Sequence, residues 1–222
     1  MKHQTFLLTA VATLGVISSD NTKSMGAESA QANPAMSFFV TSTGSKTANL
    51  GGLRGADKIC QNLASGVGLG NKTWHAYLSA ERDPDNGNKP TDARSRIGTG
   101  PWSNSKGVVV AKNLDELHAR TGDTDVFLDE HGQRVPGNWP NSPKPTVHDV
   151  LTGSTADGRV MAGKTCNDWT SESSDQQAQV GHGVRHHSDK LSMHGFSFNH
   201  FKVWPLVLSA AEFLNCNALP LD

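Results

Sequence analysis

The chain has no surplus of either charge: its 222 residues carry 20 Lys+Arg against 21 Asp+Glu. Such a balance offers no basic field to hold nucleic acid or an anionic membrane surface, so neither is expected as a partner. Long apolar runs are also scarce. "TFLLTAVATLGVI", Thr5 to Ile17, has the length of a signal-peptide core and is too short to span a bilayer, and no other run approaches about 18 apolar residues. With Lys2 and His3 ahead of it, that run predicts export to the cell surface, periplasm or medium, with no membrane insertion after processing. Residues 18–36 are small and polar, with Pro34 and an A-x-A site at Ala30-Gln31-Ala32. Residues 1–36 therefore read as signal peptide and leader, and residues 37–222 as the domain. Cysteine is short by one: Cys60, Cys166 and Cys216 cannot all pair with one another. There is no fixed-period repeat and no heptad pattern.

A hydrophobic fraction of 36% is enough for one core, and the length fits one domain plus processing segments. "MSFFVTST", Met36 to Thr43, reads as a first strand. In "GGLRGADKICQNLASGVGLGNKTWHAYLS", Ala56, Ile59, Cys60, Leu63 and Val67 recur at helical spacing, which predicts a helix that buries Cys60 and ends at Gly66 and Gly68. Asp57 is expected in the first turn of that helix, where a carboxylate favours the helix dipole. "TWHAYLS", Thr73 to Ser79, predicts a half-buried strand with Trp74, Ala76 and Leu78 inward and His75, Tyr77 and Ser79 outward. "AERDPDNGNKPT" from Ala80 is turn-rich and reads as an exposed loop. "GVVVA" predicts a strand, and Asn113 a cap on "LDELHAR", with Glu116 completing a capping-box-like arrangement. "DVFLDEHGQRV" is hairpin-like, "PGNWPNSPKPT" is a Pro-rich loop, and "HDVLTGSTADGRVM" and "KTCNDWTS" read as two further short strands around a turn. Few helices among many short strands define an α+β chain.

Five of these segments, "RGADKICQNLASGVGLGNKTWHAYLS", "VFLDEHGQRV", "NWPNSP", "HDVLTGSTADGR" and "TCNDWTS", stand in the order and approximate spacing of the endostatin domain of collagens and its bacterial lectin-like relatives. The chain resembles that family from about Ser37 to Cys216. The resemblance implies a C-type-lectin-like fold, with antiparallel sheets flanked by two helices and a long irregular loop region. It also implies a disulfide between Cys60 and Cys216. The family's partner for Cys166 falls near His200, so Cys166 is expected as a free buried thiol or in a pair between chains.

"GHGVRHHSDKLSMHGFSFNH" gathers His182, His186, His187, Asp189, His194 and His200, but without the H-E-x-x-H spacing that sets two imidazoles on one helix face. It reads as a polar loop, and no metal or other cofactor is expected. Calcium needs several oxygen ligands with charge among them, and Asn167 with Asp168 supplies too few. No nucleophile elbow, S-x-x-K or carboxylate pair stands in a recognisable frame, so the chain reads as non-catalytic. The resemblance implies that Trp169 packs in the core. Trp139 differs, because Asn138, Pro140 and Asn141 flank it in the Pro-rich loop, where an indole face and amides suit a sugar. The candidate binding residues are therefore Asn138, Trp139, Asn141 and His148, for a glycan or extracellular polymer. A matrix or adhesion module that binds protein is the alternative, and a metal-dependent hydrolase a third. Arg54 matches an arginine of the endostatin motif, but the few arginines of a balanced chain give little support for heparin-type binding.

Overall fold

Helix α1, Gly52–Gly66, carries Leu53, Ala56, Cys60 and Ala64 on its inner face, and all four are buried. The computed structural model describes residues 32–120, 125–137, 139–144 and 149–182. The helix spacing read from the sequence holds. Gly55 is required by a close approach: a Cβ there would lie 1.9 Å from the Leu50 carbonyl oxygen. The expected role of Asp57 does not hold, because α1 begins at Gly52 and has no acidic residue in its first turn. Asp57 instead ties three segments together. It accepts from the Ala76 N–H at 2.8 Å and takes a two-pronged contact from Arg96 at 2.8 and 2.7 Å. Arg96 ends the short helix α2, Ala93–Arg96, and its side chain is 10% exposed. One Arg96 nitrogen bridges both Asp57 oxygens while the other terminal nitrogen donates to the Ala76 carbonyl, and charge-assisted bonds of this kind make a strong joint.

Two expected strands are extended chain without a ladder. Residues 36–43 make a single parallel bridge, Val40 with Asp129, and the adjacent Phe38 and Phe39 are both fully buried, so no solvent face alternates with a core face. Phe38 meets Phe127 edge-on at 5.6 Å, and Phe39 meets Trp74 at 5.0 Å. Residues 73–79 bury Trp74, Ala76 and Leu78 as expected, but Tyr77 and Ser79 are buried too. Tyr77 reaches His118 at 2.9 Å, while Ser79 Oγ contacts Ser154 Oγ at 2.8 Å and accepts from the Ala93 N–H at 2.9 Å. Partners on both sides remove the alternation.

Pairing begins where a loop was expected. Strand β1, Ala80–Asp83, runs antiparallel to β2, Lys89–Thr91, around a 3-10 turn at Pro84–Asn86. Strands β3, Trp102–Ser103, and β4, Val109–Ala111, form a second pair, and β5, Asp149–Leu151, and β6, Val180–His182, a third. Helix α3, Leu114–Ala119, has the expected cap: Asn113 accepts from the Glu116 N–H at 2.9 Å. The Glu116 carboxylate reaches back one residue further than in a simple capping box, to the Lys112 N–H at 2.9 Å. The described residues are thus α+β, with small antiparallel sheets and few helices. None of their helices is long and apolar enough to cross a membrane.

The domain starts earlier than residue 37. Ala32 and Met36 are buried in the common core, and the Ala32 N–H donates to the Val67 carbonyl at 3.3 Å. Residues 32–36, expected in the leader, therefore belong to the folded unit. The rest of the expected leader lies outside the described residues.

Candidate functional site

The segment expected as a strand, "TCNDWTS", has the most unusual backbone among the described residues. Cys166, Asn167, Asp168 and Trp169 have φ of 49°, 52°, 57° and 66°, which makes one left-handed turn of four non-glycine residues. The left-handed region costs an L-residue roughly 1–2 kcal/mol, with less for Asn and Asp, so the turn must be held by its surroundings. Trp169 anchors it: the ring is fully buried, as expected, and its Nε1–H donates to the Ser79 carbonyl at 2.8 Å. The Trp169 carbonyl accepts from the Leu50 N–H at 2.9 Å, and the Trp169 N–H donates to the Thr165 carbonyl at 2.8 Å. Asp168 fastens the turn to β1, accepting from the Glu81 N–H at 2.6 Å.

A strand would send Asn167 and Asp168 to opposite faces. The left-handed turn brings both to one cleft, of about 380 Å3, bounded also by the start of α1 and the β1–β2 hairpin. Arg54, Arg82, Asp83, Asp85, Asn88 and Thr170 supply the other polar side chains. Each arginine is already oriented by a neighbour. Arg54 donates through Nε to Asp85 at 2.6 Å and through a second nitrogen to the other oxygen. That contact holds the Asp85 carboxyl below its usual range and raises the Arg54 guanidinium. Arg82 lies 3.4 Å from the Asp168 carboxylate and donates to Asn167 Oδ1 at 3.0 Å. Asp168 is only 13% exposed, so it is the fixed wall against which the solvent-facing Arg82 is set.

Of the residues expected to bind ligand, Trp139 and Asn141 do not line this cleft. Asn138 and His148 are outside the described residues. Trp139 is half-buried and Asn141 exposed. The indole N–H of Trp139 is committed to the Val135 carbonyl at 3.0 Å, and the Arg134 guanidinium lies over the ring at 5.5 Å from its centre. One ring face is therefore covered by a cation, held in turn by Asp125 at 2.7 Å. Asn141 sits at the following turn with φ of 62°.

The cysteines correct the expected pairing. Cys60 is a free thiol, fully buried between Ala56 and Ala64 on the inner face of α1, and Cys216 lies outside the described residues. Burial pushes the Cys60 thiol up to about 12, so it is protonated and a poor nucleophile. Cys166, expected as a free thiol or in a pair between chains, is disulfide-bonded. His182 ends β6, and the remaining histidines of the segment to His200 lie outside the described residues. Among the described residues no three His, Cys, Asp or Glu side chains come together to hold a metal ion.

Sequence reasoning placed Asn167 and Asp168 on a strand and read Asp83 to Asn88 as an exposed loop, so it missed the cleft. One signal was available: an Asn-Asp pair tolerates left-handed backbone better than other dipeptides. No family model matches the chain, and no curated protein matches it.

Proposed function

We propose that this chain is an exported, non-catalytic binding domain of C-type-lectin-like architecture that recognises a glycan or another extracellular polymer. The α+β architecture with small antiparallel sheets is compatible with that fold, and the five sequence segments favour it. The observation that carries the binding reading is the cleft beside the left-handed turn, where strained backbone, held by buried contacts, presents the Asn167 amide and the Asp168 carboxylate beside the Arg54 and Arg82 guanidinium groups. Strain of this kind clusters at functional sites. Binding is favoured over catalysis because two reactive side chains are disarmed. Cys60 is a neutral buried thiol, and both ring nitrogens of His118 are engaged, one by Tyr77 and one by the Leu114 carbonyl.

The test is to screen the whole purified chain on a glycan array, beside a pull-down from extracellular matrix extract. Reproducible glycan binding supports the reading. Protein capture without any glycan binding favours instead an adhesion module, for which the adjacent exposed Val108 and Val109 at the β3–β4 turn are the natural contact.

A further inference from the structure

Resting on the glycan reading, we infer that the cleft between α1, the β1–β2 hairpin and the left-handed turn is the ligand site, and that it takes an uncharged, hydroxyl-rich sugar unit rather than a sulfated or carboxylated one. A volume of about 380 Å3 falls within the size of small-ligand pockets, about 300–1,000 Å3. The choice of ligand follows from how the charges are arranged.

The cleft is lined by two arginines, Arg54 and Arg82, and three aspartates, Asp83, Asp85 and Asp168, a formal balance of +2 and −3 that leaves −1. An anion would meet no net attraction. It would also meet guanidinium groups whose charge Asp85 and Asp168 already offset.

The carboxylates are equally committed. Asp168 accepts from the Glu81 N–H and from Thr165 Oγ1, and Asp83 accepts from the Asp85 N–H at 2.9 Å and from Thr91 Oγ1 at 2.8 Å. A divalent cation would find both Asp83 oxygens already hydrogen-bonded and Asp168 shared with Arg82, which falls short of the several charged oxygen ligands it needs. A hydroxyl group meets neither obstacle, because it donates to a carboxylate lone pair and accepts from a guanidinium N–H at once. Arg54 directs Nε and one terminal nitrogen to Asp85, which leaves its other terminal nitrogen for a ligand. Neighbouring hydroxyls on a sugar ring suit such carboxylate–guanidinium pairs. Preset donors also reduce the ordering cost of binding.

The test uses an array carrying uncharged polysaccharides, sulfated polysaccharides and carboxylated polysaccharides, probed with the whole chain with and without EDTA. The variants are Arg82→Ala, Asn88→Gly and Asn167→Gly. The first changes an exposed side chain, and each glycine retains the left-handed backbone, at φ of 60° and 52°, while removing the amide. Binding of uncharged glycans that survives added salt and EDTA, and weakens at least about tenfold in Arg82→Ala and Asn167→Gly, supports the proposal. Thermal melting of each variant confirms that the fold is retained. Binding restricted to anionic glycans and lost with salt overturns the ligand class but leaves the glycan reading standing, as does binding abolished by EDTA. Uncharged-glycan binding untouched in all three variants but lost in Trp139→Ala overturns the site alone. No binding to any glycan overturns both this proposal and the reading beneath it.

Discussion

Replacing Asp168 by alanine should test the whole account of the left-handed turn. The substitution removes the acceptor for the Glu81 N–H at 2.6 Å, a hydrogen bond to a charged group worth about 1.5–3 kcal/mol. It also removes the weaker contact to Thr165 Oγ1 at 3.2 Å. The ion pair with Arg82 adds little, about 0–1 kcal/mol, because Arg82 is 67% exposed and screened by solvent. Alanine at φ of 57° is less tolerant of the left-handed region than aspartate, which adds several tenths of a kcal/mol. The expected loss is therefore about 2–4 kcal/mol. Urea unfolding of the purified protein reads it as a lower midpoint at unchanged slope. Asp168→Asn keeps one acceptor oxygen for Glu81 and should lose less than half as much. A loss below about 0.5 kcal/mol in Asp168→Ala, the level of an ordinary surface change, would refute the claim that this carboxylate holds the turn.

Three further outcomes follow from buried contacts. Tyr77→Phe removes a buried hydroxyl from His118 and should cost about 1–2 kcal/mol by urea unfolding. Gly158→Ala should be more damaging, since at φ of 80° a Cβ would lie 2.3 Å from His118 Nε2 and 2.5 Å from the Tyr77 hydroxyl; a melting temperature within a degree or so of wild type would contradict that geometry. Burial holds His118 below its usual 6.5, so the unfolded chain takes up the proton first. This contribution to stability is therefore complete above pH 6.5 and is lost as pH falls below it towards the folded-state value, with a slope that His118→Gln should flatten in unfolding measured across that range.

Helix α1 and the Asn113 cap were legible because each depends on neighbours three or four residues away, the distance over which side-chain pattern and helix geometry coincide. The strands at 36–43 and 73–79 were misread for the opposite reason. Phe39, Tyr77 and Ser79 are buried by residues far along the chain, Trp74, His118 and Ser154, and a period-2 pattern carries no record of such partners. Asp57 shows the same limit: its neighbours in sequence suggested a dipole partner, while its neighbours in space made it the joint with Arg96.

The sequence alone determined that this is a charge-balanced α+β chain and that α1 buries Cys60. Those properties follow from composition and short-range spacing. Only the tertiary structure decided that Cys60 is free, that residues 32–36 join the core, and that Asn167 and Asp168 share a cleft with Arg54 and Arg82. The physical reason is that a left-handed turn is unfavourable by itself. It exists because Ser79, Leu50 and Glu81, about 80 to 120 residues earlier in the chain, supply the hydrogen bonds that hold it.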